Sequence, residues 1–265
     1  MHPEFTHLRD IYFSVDPEYK GRFTVPVLYD KKKKKIVSNE VRRIPPPLSP
    51  SISISYPESN SLTKRHQSSE IIRMFYYEFD DLLPEKYRQV DLFPPHLRAE
   101  IEATNDWTYN DVNNGVYKAG FATTQEAYER AVTALFSALD RIEAHLAAKQ
   151  ASKDDSSPFY FGSTVTEADI RLYTTIVRFD PVYVQHFKCN VRDIRSGYPA
   201  IHRWLRALYW DVPAFRETTQ FEHIRKHYTK SHSQINPFGI TPVGPVPDIL
   251  PKDEEVRAVA AQPKE

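Results

Sequence analysis

The stretch Val165-Thr166-Glu167-Ala168-Asp169-Ile170-Arg171 lies between the aromatic residues 159–161 (FYF) and the apolar run LYTTIVRF. It reads as a helix start with two locks. Thr166 takes the N-cap position and Asp169 falls at N3, so the two can form a capping box; Val165 and Ile170 bracket it as a hydrophobic staple. Such devices stabilise a helix by about 1 kcal/mol each. The pattern therefore assigns Thr166 and Asp169 to structural capping of a core helix running to about Phe179, where Asp180-Pro181 stops it.

Upstream, TTQEAYERAVTALFSALDRIEAHLAAK carries the apolar stripe Tyr128, Val132, Leu135, Leu139, Ile142, Leu146, which steps alternately by four and three as one helix face requires. Thr123 and Glu126 have the spacing of a second capping box. Downstream, YPAIHRWLRALYW is another amphipathic helix, and FEHIRKHYTKSH a shorter one. From Pro95 to about residue 241 the chain thus reads as all-helical, and the proline-rich then charged residues 242–265 read as a disordered tail.

The N-terminal part has a different character. HLRDIYF is a short helical pattern, and FTVPVLYD, five lysines (Lys31 to Lys35) and KIVSN follow as strand, turn and strand, a β-hairpin with a solvated basic tip. Pro26 falls inside the first strand pattern and marks an edge, a bulge or a cis peptide, because proline donates no ladder bond. Residues 41–67, rich in proline and serine and without periodicity, lack the apolar content to order themselves. SSEIIRMFYYEF then resumes a helix, and residues 81–94 form a proline-containing linker.

Composition narrows the function classes. Lys+Arg and Asp+Glu each total 35, so no net field points to nucleic acid or to an acidic membrane. No run is long and apolar enough to span a bilayer, and the N-terminus has no apolar signal core. The one cysteine, Cys189, allows no internal disulfide, which suits a reducing, cytoplasmic setting; a structural thiol is the expectation for it. His223 and His227 stand at i, i+4 with His232 behind, but no carboxylate or cysteine completes a metal site, and no metal is expected. No phosphate-cradling P-loop, GxGxxG or GxSxG is present.

Several stretches together resemble the glutathionyl-hydroquinone reductases, the xi class of glutathione transferases. They are GRFTVPVLYD, IVSNE continued after the insert by SSEIIRMF, DLFPP, NGVYKAGFA, FYFGSTVTEADIRLYTTIVRFDPVY, FKCNVRDIRSGYPAIHRWLRALYW and KHYTKSH. The resemblance implies a mainly α chain: an incomplete thioredoxin-like α/β domain (residues 1–80, with 41–67 a disordered insert), then the linker, then a glutathione transferase C-terminal helical domain (95–241). It implies glutathione as co-substrate and S-glutathionyl-hydroquinones as substrates. A thiolate takes the glutathionyl sulfur, the hydroquinone leaves, and a second glutathione resolves the mixed disulfide. It also implies a homodimer and neither nucleic acid nor membrane as partner. Val25, through its backbone, and a cis Pro26 would hold the cysteinyl part of glutathione; Glu40 and Ser68 would hold its γ-glutamyl end. Tyr117 and Tyr228 would line the hydroquinone pocket.

The chain departs from that family twice. The family's nucleophile lies in a Cys-Pro-Trp-Ala motif that this sequence does not contain, so the expectation is a chain impaired in catalysis, truncated at its N-terminus, with a non-catalytic helical binding or assembly module as the alternative. The insert also separates Glu40 from Ser68, which adjoin in the family. Valine codons begin GT and a glutamine codon can end AG, so Val41 and Gln67 are compatible with the ends of a retained intron whose removal rejoins Glu40 to Ser68 in frame. A spliced transcript that keeps this stretch as its dominant form would refute that expectation.

Overall fold

The computed structural model describes residues 5–39, 67–152 and 157–252. They divide into two compact units that meet at Asp91 and Leu92, inside the expected linker.

In the first unit, helix α1 (Leu8–Val15) precedes the hairpin of β1 (Val27–Asp30) and β2 (Lys35–Asn39). The strands are antiparallel, with Val27 opposite Asn39 and Asp30 opposite Lys35 and a register shift between Leu28 and Tyr29. Asp30 Oδ1 accepts the amides of Lys32 and Lys33 at 2.9 Å each, and Lys34 takes the left-handed conformation (φ 49°), so the lysine run is the turn itself. Helix α2 (Gln67–Tyr77) starts at Gln67, one residue inside the stretch expected to lack order; the rest of that insert, residues 41–66, lies outside the described residues, as does Glu40. The expected linker is locally helical, with α3 at Glu85–Arg88.

The second unit is helical. Helix α4 (Arg98–Thr108) passes through a π-helical turn (Tyr109–Asn113) into α5 (Gly115–Gly120), and α6 (Gln125–Ala151) is the central element. The α6 stripe is buried from Val132 to Leu146 as its period requires, with Leu135, Leu139 and Ile142 fully enclosed and Tyr128 half-buried at its start. Its cap differs by one residue from the expected one. Thr124, not Thr123, is the N-cap: it is extended (φ −131°, ψ 152°), directly precedes the first helical residue, and accepts the Ala127 amide at 3.2 Å.

Helix α7 (Glu167–Ile176) opens as the sequence expects. Asp169 Oδ2 accepts the Thr166 amide and hydroxyl at 2.9 Å each, closing the capping box. Its other oxygen, Oδ1, accepts the Tyr160 amide and the Trp204 indole N–H at 2.8 Å each. The carboxylate thus joins three segments of the core. Burial drives its pKa up and these four donors oppose that shift.

Helix α7 ends at Ile176, and a second π-helical turn (Phe179–Tyr183) leads to the single helical turn α8 (Val184–His186). Then follow α9 (Ile194–Gly197), α10 (Pro199–Asp211), α11 (Pro213–Thr218) and α12 (Phe221–Ser231). Residues 242–252, expected to be disordered, are instead laid along the helices. Ile249 is buried, the Trp210 indole N–H donates to the Leu250 carbonyl at 2.9 Å, Arg206 donates to the Pro251 carbonyl at 2.8 Å, and Arg225 pairs with Asp248. Arginines and a tryptophan far away in sequence supply the order that the segment's own composition lacks. The remainder of that tail, residues 253–265, lies outside the described residues.

Candidate functional site

The two sets of residues expected to form the site fall in different units and are described separately. In the first unit the Val25–Pro26 peptide is cis. The buried Tyr12 fixes the residue before it: its hydroxyl donates to the Thr24 carbonyl at 2.7 Å and accepts the Thr24 amide at 3.3 Å. The rings of Tyr19 and Phe23 pack against Tyr12 with centroids 4.8 Å and 5.5 Å away. Val25 is exposed and stands outside the ladder, which begins at Val27. Ser68 is the second residue of α2, so it lies where helix amides are still unpaired and an anionic group is favoured.

In the second unit, Tyr117 on α5 and Tyr228 on α12 are brought together over 111 residues of chain, their hydroxyl oxygens 2.6 Å apart. A third tyrosine that the sequence reading did not single out, Tyr183, lies behind them with its hydroxyl 2.8 Å from that of Tyr228. Exposure grades along this row, from 2% at Tyr183 through 6% at Tyr228 to 38% at Tyr117. Burial is the first cause that raises the pKa of Tyr183 and of Tyr228, so both hold their protons firmly.

Packing sets this row. The ring of Phe187 lies parallel to that of Tyr183 at 5.5 Å and sits 5.3 Å from that of Tyr117. A Cβ on Gly120 would meet Phe187 Cδ1 at 2.1 Å, so α5 approaches Phe187 only because residue 120 is glycine. Tyr228 meets Tyr183 edge to face at 5.5 Å. Beside the row, His186 Nε2 lies 3.0 Å from His232 Nδ1, and partial burial lowers the pKa of both rings. A cleft of about 320 Å³ lies nearby, lined by His186, Lys188, Thr229, Asn236 and others but not by Tyr117 or Tyr228.

Cys189 is wholly buried, and burial pushes its thiol up to about 12. Its Sγ–H points to the Phe187 carbonyl at 3.8 Å, and its amide donates to the Tyr183 carbonyl at 3.0 Å. Such a thiol packs the core and forms almost no thiolate at neutral pH. His223 and His227 are exposed on α12, and among the described residues no group of three or more His, Cys, Asp or Glu side chains gathers around a common point.

Residues 125–207 match the family described as Glutathione S-transferase, C-terminal domain. The glutathione S-transferase omega-like 2 of Schizosaccharomyces pombe is 51% identical over 244 residues, which cover 92% of this chain and 67% of that protein. The glutathionyl-hydroquinone reductase YqjG of Escherichia coli is 44% identical over 251 residues, 94% of this chain and 64% of that one. The crystal structure of the xi glutathione transferase ECM4 from Saccharomyces cerevisiae in complex with glutathione superposes with a TM-score of 0.80 at 44% identity, covering 94% of this chain and 70% of that one. The chain therefore spans about two thirds of the length of the curated relatives it matches.

Proposed function

The chain belongs to the xi-class, omega-like glutathione transferases, and on that premise we propose that it carries the glutathione and hydroquinone sites of a glutathionyl-hydroquinone reductase. The observation that carries this reading is the meeting of the Tyr117 and Tyr228 hydroxyls at 2.6 Å, with Tyr117 exposed and Tyr228 buried behind it. The Tyr117 ring offers a flat face for a quinol, and a phenolic O–H beside it is suited to stabilise charge on the phenolic oxygen as the carbon–sulfur bond breaks. In that reaction a thiolate attacks the glutathionyl sulfur, and the ring carbon keeps the bonding electron pair and takes a proton. A second glutathione then displaces the first from the mixed disulfide as glutathione disulfide.

In this reading the backbone of the exposed Val25, next to the cis Pro26, receives the cysteinyl part of glutathione, and Glu40 with Ser68 receives the γ-glutamyl carboxylate and amine. The chain acts as a homodimer in the cytoplasm; the absence, among the described residues, of a helix long and apolar enough to cross a membrane is compatible with that setting.

The sequence as given supplies no reactive thiol, since its one cysteine is the buried Cys189. The second reading is a glutathione-transferase-like helical module that binds or assembles without turning over. Both are tested by incubating the purified chain with a glutathionyl-hydroquinone and glutathione and following hydroquinone release, with hydroquinone binding measured in parallel. Binding with little or no turnover is the expected result. Robust turnover would overturn the expectation of impairment, and absence of binding would remove the hydroquinone site.

A further inference from the structure

We propose that Tyr183 is a positioning residue that orients a row of hydroxyls, Tyr183 to Tyr228 to Tyr117, so that the last proton of the row faces outward to the phenolic oxygen of a bound quinol. The proposal rests on the hydroquinone-site reading for its ligand, and on the core of the second unit for its geometry.

A phenol has one proton to donate. The Tyr183 hydroxyl is enclosed, and its one hydrogen-bond partner among the described residues is Tyr228 at 2.8 Å. If the row ran inward, the Tyr183 proton would end in the core with no acceptor, the costly arrangement for a buried donor. If it runs outward, Tyr183 donates to Tyr228, Tyr228 donates to Tyr117 at 2.6 Å, and each buried hydroxyl is satisfied. Tyr117 is then an acceptor on its inner side, and its own proton is left for the outer side, since the residue is 38% exposed. Burial at one end and exposure at the other thus decide the direction of the whole row.

The row works as a fixed dipole and not as a wire. Burial holds the protons of Tyr183 and Tyr228 in place, so neither is handed on. Each donor polarises the next, which makes the outermost O–H a better donor than an isolated tyrosine. Tyr183 touches no ligand in this scheme; it acts through Tyr228. The parallel stack of Phe187 on Tyr183 fixes where the row starts.

The test uses the full chain with 3-fluorotyrosine placed at position 117, and 4-nitrophenol as the probe. Fluorine NMR follows the ionisation of residue 117 without ligand, and absorbance follows 4-nitrophenol binding. Tyr183→Phe keeps the ring and removes the donor. It should raise the ionisation midpoint of residue 117 by ~0.3 units or more, since the phenolate there loses a polarised donor. It should also weaken 4-nitrophenol about fivefold, an effect that disappears in a Tyr117→Phe background. Tyr228→Phe should move the midpoint further, and it carries the test if Tyr183→Phe does not fold. A midpoint left unmoved by a folded Tyr183→Phe, or by Tyr228→Phe, overturns the proposal. If the midpoint moves but 4-nitrophenol does not bind, the oriented row stands and the hydroquinone site falls. If 4-nitrophenol binds and the midpoint is fixed, the reverse holds.

Discussion

The Trp204 indole N–H donates to Asp169 Oδ1 at 2.8 Å, tying the middle of α10 to the first turn of α7. The same carboxylate closes the capping box with Thr166 and receives the Tyr160 amide. One side chain therefore sets the entry of a helix, the path of the loop before it, and the seat of a fully buried tryptophan. Removing it in Asp169→Ala strands three buried N–H donors at once. The expected loss is about 3–5 kcal/mol, read as a lowered urea midpoint with little change in slope.

The cap of α6 gives a sharper and smaller test. Thr124→Ala removes the acceptor of the Ala127 amide and should cost about 1 kcal/mol. Thr123→Ala, one residue away and exposed, should lie within ~0.5 kcal/mol of the parent. Equal effects in thermal or urea unfolding would contradict the cap register.

Asp180 and His202 line the same small void of about 10 Å³, enough for roughly one water, together with Arg195 and Asp248. Burial pushes Asp180 from 3.8 up to about 6 and His202 from 6.5 down to about 4. The signs oppose. Between 3.8 and 6 the folded state holds a proton on Asp180 that the unfolded chain has lost, so this contribution is present at low pH and lost as pH rises through about 6. Between about 4 and 6.5 the unfolded chain protonates a histidine that the folded state keeps neutral, so this contribution is present above 6.5 and lost as pH falls through about 4. Each spans about 3 kcal/mol, to order of magnitude. Asp180→Asn should therefore make the slope of stability against pH more positive across pH 4–6, and His202→Gln should make it more negative. Urea unfolding at pH 4, 5 and 6 measures both.

Cys189 should ignore a thiol reagent in the native protein. A thiol pushed up to about 12 has a thiolate fraction near 10⁻⁵ at pH 7, and its sulfur is enclosed besides. Ellman's reagent should label it only on unfolding in denaturant. Prompt native labelling would return Cys189 to the list of nucleophiles.

Much of the fold is readable from local pattern. The α6 stripe, the Thr166–Asp169 cap and the basic hairpin tip each depend on residues within a few positions of one another, and each takes the form that its spacing dictates. The order of residues 242–252 was not readable, because the groups that hold it (Arg206, Trp210 and Arg225) lie 23 or more positions away. Thr124 displaced Thr123 because two adjacent threonines satisfy the same local rule. The candidate site was less legible still. Tyr117 and Tyr228 follow from family resemblance and from no periodicity, and Tyr183 looks like one more core aromatic until its hydroxyl partner is seen.

The two π-helical turns give the row of tyrosines its phase. Tyr109–Asn113 lies just before the helix that carries Tyr117, and Phe179–Tyr183 ends on Tyr183 itself. Each such turn accommodates about one residue more than an α-turn, so every side chain beyond it is rotated by about 100° from where an uninterrupted helix would aim it. Deleting one residue from the first turn would rotate the rest of α5 by that angle, swinging Tyr117 off the row together with the buried Val116 and Ala119. The phase of that tyrosine and the phase of the core behind it are thus one and the same requirement on the length of the turn.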